Sequence, residues 1–553
     1  LEVTWKKQDV NLDVTRAVFD TLVQGRESKA VVTFFEHYGQ PMMIKANVPP
    51  QSHETVSEIL TLVSIAYAAD MELDVNGVPA TCFELLSAAI NISPNYPRPR
   101  QKLAIFLEHR GDYDIGLRVY AHYMKLENER MLVHSNVALR ENVYRARALA
   151  RQLGKKLLVI YCNEYGQTWW PNWGPNSMNE GGAGGSEEAV IFLSKELSKT
   201  YGYHVEVYGE PLPKYWGPQE NTGVWWLPMD IFDASAPSEI APDIFVSWRY
   251  HISTVYGDNA KQRYIWLQDI SKKYKESFTN KYVDTLSGIF TLSHFHGREA
   301  LSEYALRKTF VTPNALDPTY FYDGPNDNHR FIYASAPNRG LATVLVSWKT
   351  IKQHIPNAEL EVYYGFSKSF LNYCKNSMPN CDEWLKQMKT LLEQDGINYH
   401  GMADHHTLGK GYARSGFYLY PTSYPETGCV ALMKAQALGA IPITSRHYDS
   451  TLPELTGDFD LGPPLTESRK TGRIDRDRDW TEAWINSVVK AATMEPEQIR
   501  AHRARMVQSA RKRFLWTTVA GLWNDAFTRK GIDNKMPAWK DVLPPAVDLE
   551  FSN

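Results

Sequence analysis

Glu426 stands at the mouth of an expected helix, and its surroundings suit a ligand that carries both phosphates and hydroxyls. The run from Phe417 to Ile443 reads FYLYPTSYPETGCVALMKAQALGAIPI. Phe417 to Tyr420 is an apolar strand that runs into Pro421-Thr422-Ser423. A helix begins near Thr427-Gly428-Cys429, carries the small residues Ala431, Ala435 and Ala437, and ends at Gly439. A second apolar run, Ile441-Pro442-Ile443, follows at once. Free N–H groups at a helix start hold an anion, and a carboxylate beside them accepts hydrogen bonds from sugar hydroxyls.

Three further stretches carry candidate chemistry. Residues 181–188 read Gly-Gly-Ala-Gly-Gly-Ser-Glu-Glu, between an apolar strand and a helix. Glycine lets a backbone approach a ligand closely, and open α/β sheets bind ligands at the carboxyl ends of their strands. The plain alternative is a flexible connecting loop. Arg339, in SAPNRGLATVL (335–345), lies after a strand at a helix start, where a guanidinium can grip a diphosphate with two parallel bonds. A solvated arginine is its bland counterpart. TWWPNWGP (168–175) puts Trp169, Trp170 and Trp173 in a loop, as sugar-stacking faces or as packing under a lid. Trp225 and Trp226 adjoin an apolar run and read as core. No metal site is expected: His405-His406 and the Asp475, Asp477, Asp479 run lack clean ligand spacing.

The Glu426 region resembles the donor site of the retaining, nucleotide-sugar-dependent glycosyltransferases with the GT-B fold. That family usually shows Pro-Ser, a first Glu, a second Glu eight positions later, and a closing Gly-x-Pro. Glu426 matches the first Glu, and Gly439 and Pro442 fall at the close, spaced Gly-x-x-Pro. Lys434 occupies the place of the second Glu, which usually meets the nucleotide ribose. Gly184-Gly185-Ser186-Glu187 matches the family's Gly-Gly-x-Glu motif, which faces the reacting sugar and diphosphate. Arg339 falls at the family's lysine position and Ala334 at its arginine position. Gln268, followed by Asp269, stands where a donor-touching histidine is common. Asn314, Asp317 and Phe321 match an end-of-lobe signature and read as hinge residues.

The resemblance covers about 155–528 and implies a fold and a function. The fold is α/β GT-B: two Rossmann-like lobes with a central cleft. The implied function is transfer of a sugar from a nucleoside-diphosphate sugar to a hydroxyl of a glycan or other acceptor, with retention. Glu426 and Arg339 would be the catalytic pair. Gly184, Gly185, Ser186, Thr427, Gly428, Cys429 and Lys434 would join them in holding the donor. Trp169, Trp170, Trp173, Gln268 and Asp269 would meet the acceptor. No metal or other cofactor is expected. The departing phosphate takes the acceptor's proton in this family, so no protein base is required. The altered positions Lys434, Ala334 and Gln268 keep a second reading open, a binding or scaffold protein on a degenerate transferase fold. A sugar phosphorylase is a weaker third reading, with no lysine motif for a pyridoxal cofactor.

Composition bounds these readings. The chain has 553 residues, enough for three or four domains, and 43% hydrophobic residues, enough for sizeable cores. A net charge of −3 gives no electrostatic case for a nucleic-acid partner. No apolar run reaches the roughly 20 residues that span a bilayer. Five scattered cysteines favour reduced thiols and a cytoplasmic location, with Cys374 and Cys381 close enough in sequence to pair. The chain begins at Leu1 without a signal-peptide pattern, as a trimmed sequence or a fragment would.

The elements that must position these residues follow from periodicity. Residues 54–152 are helical, and 83–127 resemble one and a half tetratricopeptide-type hairpins, with a plain helical subdomain as the alternative. Continuous apolar strands at 155–162, 203–209, 243–250, 263–269 and 288–293 alternate with helices or loops, as in a doubly wound domain. The alternation restarts near His329 and closes with a helical segment at 495–528. The expected domains are a helical, partly TPR-like one (1–153), an acceptor-side lobe (154–325) and a donor-side lobe (326–510). A last helix crossing back to the first lobe, with a tail, takes 511–553.

Overall fold

The computed structural model describes residues 16, 30–32, 35, 53–70, 80–110, scattered residues from 112 to 126, 136–162, 170–180, 182–270, 272–464 and 477–528. The chain divides into two compact units: residues 1–157 with 202–207 and 211–241, and residues 158–201, 208–210 and 242–553.

In the first unit, helices α1 (His53–Asp70), α2 (Ala80–Ile92) and α3 (Arg98–Arg110) succeed one another. Val56, Ile59, Leu60 and Val63 of α1 pack with Ala89 of α2, the three-to-four spacing that makes one apolar face. Cys82 and Leu86 then pack with Phe106 of α3. Helix α4 (Asn136–Gln152) spends its arginines on backbone and carboxylate. Arg147 grips Glu206 with two bonds of 2.9 and 2.7 Å, and Arg151 donates to the Ala241 carbonyl at 2.7 Å.

The first strand among the described residues, β1 (Leu157–Cys162), belongs to the second unit from Leu158 on. Of the next three, β3 (Gly217–Pro218) and β4 (Trp225–Pro228) belong to the first unit, as does β2 (His204–Gly209) up to Val207, with β4 between the other two. Trp225 and Trp226 are buried there, the core role expected of them.

The second unit carries two parallel sheets. In one, β1, β5 (Ile244–Trp248), β6 (Gln262–Trp266), β7 (Gly288–Thr291) and β8 (Thr309–Val311) run side by side, all parallel. The other holds β9 (Asp327–Ala334), β10 (Glu359–Tyr363), β11 (Ile397–Gly401), β12 (Ser415–Tyr420) and β13 (Ile441–Thr444) in the order β11-β10-β9-β12-β13. That order reverses at β9, the doubly wound pattern that leaves a ligand crevice at the strand carboxyl ends. Strand interiors are apolar because helices cover both faces: all six residues of β12 are buried. The class is therefore α/β with two Rossmann-like sheets, the GT-B arrangement.

The helices that matter for the site are α5 (Gly185–Tyr201), α6 (His294–Ala300), α7 (Leu341–His354), α8 (Lys368–Ser377), α9 (Cys381–Leu392), α10 (His405–Arg414) and α11 (Val430–Ala437). Beyond them lie α12 (Arg478–Ala492), α13 (Pro496–Arg513) and α14 (Trp516–Thr528). The helical run expected over 495–528 breaks at Phe514 and Leu515, where Leu316 accepts and donates backbone bonds. Helix α14 then lies against the first sheet: the Trp523 ring stacks on Phe290 with centroids 3.6 Å apart.

Several elements escaped the periodicity. Strand β11 shows three exposed residues in five, and α8, α10 and α12 sit inside polar stretches. Asp477 caps α12 by accepting from Trp480 N at 3.1 Å, a structural use for one member of the Asp run. The expectation of reduced thiols at Cys374 and Cys381 is corrected. Helices α8 and α9 meet at a tight turn that brings their Cα atoms to 5.5 Å, and the two residues form a disulfide. Cys82, Cys162 and Cys429 are buried free thiols. No helix among the described residues is long and apolar enough to cross a membrane.

Candidate active site

Gly340 places Arg339. It has φ 97°, and a Cβ there would stand 2.5 Å from the Pro421 carbonyl oxygen. Only glycine lets the loop after β9 close on the loop after β12. Arg339 Nη1 thereby reaches Glu426 Oε1 at 2.8 Å, while the guanidinium lies over the Tyr424 ring, 4.0 Å from its centroid. The Tyr420 hydroxyl donates to the same Oε1, and Ser335 Oγ is 3.1 Å from that hydroxyl. Glu426 is almost wholly buried, and Thr451 N pins its carbonyl at 2.8 Å. Burial works against charge on Arg339, yet Glu426 beside it holds the guanidinium above its ordinary range. Burial, reinforced by Glu426, pushes the Tyr420 hydroxyl and the Cys429 thiol upward, so both stay neutral.

Helix α11 begins at Val430, three residues after Thr427, with Cys429 at its N-cap. The Leu432 N–H meets the Cys429 Sγ, which leaves the N–H groups of Val430 and Ala431 as the helix-start donors without a partner inside the helix. The turn before it is fastened to the other sheet. Thr427 Oγ1 donates to the Gln268 carbonyl at 3.0 Å, Ser293 Oγ donates to the Thr427 carbonyl at 2.9 Å, and a Cβ on Gly428 would stand 2.9 Å from Leu292. Glu454 caps α6 by accepting from His294 N and Phe295 N at 2.9 and 2.7 Å. A Cβ on Gly185 would meet Val430 at 3.0 Å, so the starts of α5 and α11 converge. Two positive helix ends side by side make a place for a polyanion.

Around Gly184 a second constellation forms. A Cβ on Gly184 would stand 2.8 Å from Trp170 Nε1, so the half-buried indole lies over this loop. Ser186 Oγ donates to Glu187 at 3.0 Å. Arg249, at the carboxyl end of β5, donates to Asp269 Oδ2 at 2.8 Å and to both Ser186 and Glu187 at 3.3 Å. Its φ of 66° is unusual for a side-chain-bearing residue and marks a backbone bent to hold it. Burial raises the Glu187 carboxyl, and Arg249 opposes the rise. Trp173 takes the packing role: it is buried against Trp248, 5.5 Å between centroids, and presents no open face to a sugar. Trp169 lies outside the described residues. Gln268 is buried, its Oε1 accepting from Asn314 at 3.4 Å and its Nε2 without a partner among the described residues.

Lys434 is not loose. Its Nζ lies 2.9 Å from Glu188 Oε2 and 3.4 Å from His405 Nδ1. Burial lowers the His405 ring while Glu188 pulls it upward. The structure thus joins Arg339 to Glu426, and Ser186 to Asp269 through Arg249. Sequence reasoning missed Arg249, Glu188, Tyr420 and Tyr424 as members of these clusters. Their one sequence signal is position: Arg249 and Tyr420 lie at strand ends, Glu188 in the first turn of α5, and Tyr424 in the loop between β12 and α11. Among the described residues no group of three His, Cys, Asp or Glu side chains is placed to hold a metal ion. An open depression lined by Lys375, Met378 and Asp382 sits beside the disulfide, lined by none of these groups.

No family model and no curated protein matches this sequence. Solved structures similar to it are sugar-transferring enzymes. Sucrose-phosphate synthase from Thermosynechococcus elongatus is 14% identical with TM-score 0.48, over 67% of this chain and 98% of that one. The catalytic domain of Starch Synthase IV from Arabidopsis thaliana, bound to ADP and acarbose, is 11% identical with TM-score 0.46, over 68% and 99%. A Thermobaculum terrenum O-GlcNAc transferase mutant is 13% identical with TM-score 0.42, over 94% and 98%. These are distant likenesses of fold.

Proposed function

We propose that this chain is a retaining glycosyltransferase that uses a nucleoside-diphosphate sugar. The observation that carries the reading is the Arg339–Glu426 pair beside the start of α11, where Gly185 of α5 also arrives. The diphosphate lies against the two helix starts and draws on Arg339. Glu426 accepts hydrogen bonds from the donor sugar. The bond from the anomeric carbon to the leaving phosphate oxygen breaks, and the acceptor oxygen bonds the same face. The acceptor's proton passes to the departing phosphate, giving the glycoside and the nucleoside diphosphate. Helix dipoles and Arg339 stabilise the leaving charge, the main catalytic term in such a scheme, and no metal is required. Trp170 and Asp269 stand on the acceptor side. The helical segment of the first unit, whose tetratricopeptide likeness belongs to this reading, takes a peptide. A cytoplasmic location is part of the same proposal.

The test is thermal stability with UDP, GDP, ADP and CDP in EDTA, then transfer from the matching sugar nucleotide. A nucleotide at 100 times its Kd stabilises by about 2.7 kcal/mol. Glu426→Ala is expected to lower turnover by about 10²-fold or more while the fold persists. Unchanged turnover in that variant overturns the assignment. The second reading, a scaffold without transfer, is favoured by Lys434 being engaged by Glu188. Nucleotide-sugar hydrolysis or transfer rules it out.

A further inference from the structure

We propose that Arg339 and Glu426 form a self-neutralised gate that opens fully only to a ligand carrying an anion and hydroxyls together. This rests on the transferase reading and adds to it a rule for which ligands the site accepts.

The two halves differ in freedom. Glu426 is fixed: its carbonyl accepts from Thr451 N, its own N–H bonds to the Tyr424 carbonyl at 2.9 Å, and its carboxylate takes the Tyr420 hydroxyl. Arg339 has a long stem, and its side chain is about a third exposed (31%) against 5% for Glu426. Glu426 is the guanidinium's hydrogen-bonding partner among the described residues, so most of its five N–H donors stay available. The Tyr424 ring beneath it tolerates a slide along its face. Neighbouring cations are committed too, Lys434 to Glu188 and Arg249 to Glu187 and Asp269.

A phosphate that draws Arg339 away strands a buried carboxylate without its counter-charge, which is costly. Sugar hydroxyls donating to Glu426 offset that cost. The anion and the sugar therefore bind cooperatively, and a nucleoside diphosphate alone meets a penalty that the whole sugar nucleotide does not.

Titration calorimetry with UDP, ADP and GDP, and with UDP-glucose, ADP-glucose and GDP-mannose, tests this on the full chain. Wild type binds the sugar nucleotide about tenfold or more tighter than its diphosphate, equal to about 1.4 kcal/mol. In Glu426→Gln the shape stays and the charge goes, so the diphosphate binds about tenfold tighter than to wild type, and the preference for the sugar form disappears. Diphosphate binding unchanged or weakened in folded Glu426→Gln overturns the gate and leaves the transferase reading standing. No binding of any nucleotide to either protein overturns both. If Glu426→Gln does not fold, Tyr420→Phe tests the opposite sense. With one donor fewer on the carboxylate, Arg339 is held harder and the diphosphate binds about fivefold weaker. Equal or tighter binding there overturns the gate.

Discussion

Arg249 shows what a single side chain can decide. Its guanidinium spans Asp269 on one side and Ser186 with Glu187 on the other, a reach that needs a planar fork. Lysine offers one point charge and cannot tie both. It acts through the Gly184 loop, so we treat it as a positioning residue. Both Arg249→Lys and Arg249→Ala are expected to cut turnover about tenfold or more, with nucleotide affinity nearly unchanged. Loss of the cation also lets burial raise the Glu187 carboxyl further. Its charge is then lost at higher pH, and the acid limb of the pH–rate profile moves up. An unmoved profile with full turnover in Arg249→Ala refutes the role. Glu426 and Arg339 were legible as residue types at helix starts, but their pairing was not. They are 87 positions apart, and only the close approach at Gly340 joins them.

Elements show the same division. Helix α4 is amphipathic in sequence, yet its Arg147 is buried, together with Glu206 of β2. Burial alone would raise the Glu206 carboxyl, but Arg147 brings it down to about 2. A depressed carboxyl contributes stability above its ordinary pKa and loses it as pH falls toward the folded value. The pair's contribution is thus complete above about pH 5 and fades between there and pH 2, a loss of about 3 kcal/mol. Arg147→Ala should destabilise by about 3–5 kcal/mol at neutral pH, because it strands a buried charge. The double change Arg147→Met with Glu206→Leu should recover most of that loss, measured by denaturant unfolding. A single variant as stable as wild type removes the pair from the account. Strand β11 and helices α8, α10 and α12 were missed because their polar faces break the pattern that flags an element, while tertiary neighbours supply the burial.

For the whole second unit, the last helix is the tie. Trp523 of α14 stacks on Phe290 and stands edge-on to Trp266, centroids 4.8 Å apart, inside the first sheet's cover. Trp523→Ala is expected to cost about 3–5 kcal/mol. Because α14 covers the sheet whose strand ends hold Gln268 and Ser293, the loss should lower the melting temperature and loosen nucleotide binding together. A melting temperature unchanged by the substitution would sink this.

The sequence by itself determined the parallel α/β class, since unbroken apolar strands alternating with helices can be buried only between helical layers. It determined too that Glu426, Arg339 and the Gly184–Gly185 turn sit at strand ends or helix starts, because glycine and helix-start signals are local. Tertiary structure alone decided who meets whom. It gave Lys434 to Glu188, buried Trp173 against Trp248, bent Arg249 into its cluster and brought Cys374 to Cys381. Each of those outcomes depends on separations of a few ångströms between loops, which packing sets and local residue preference does not.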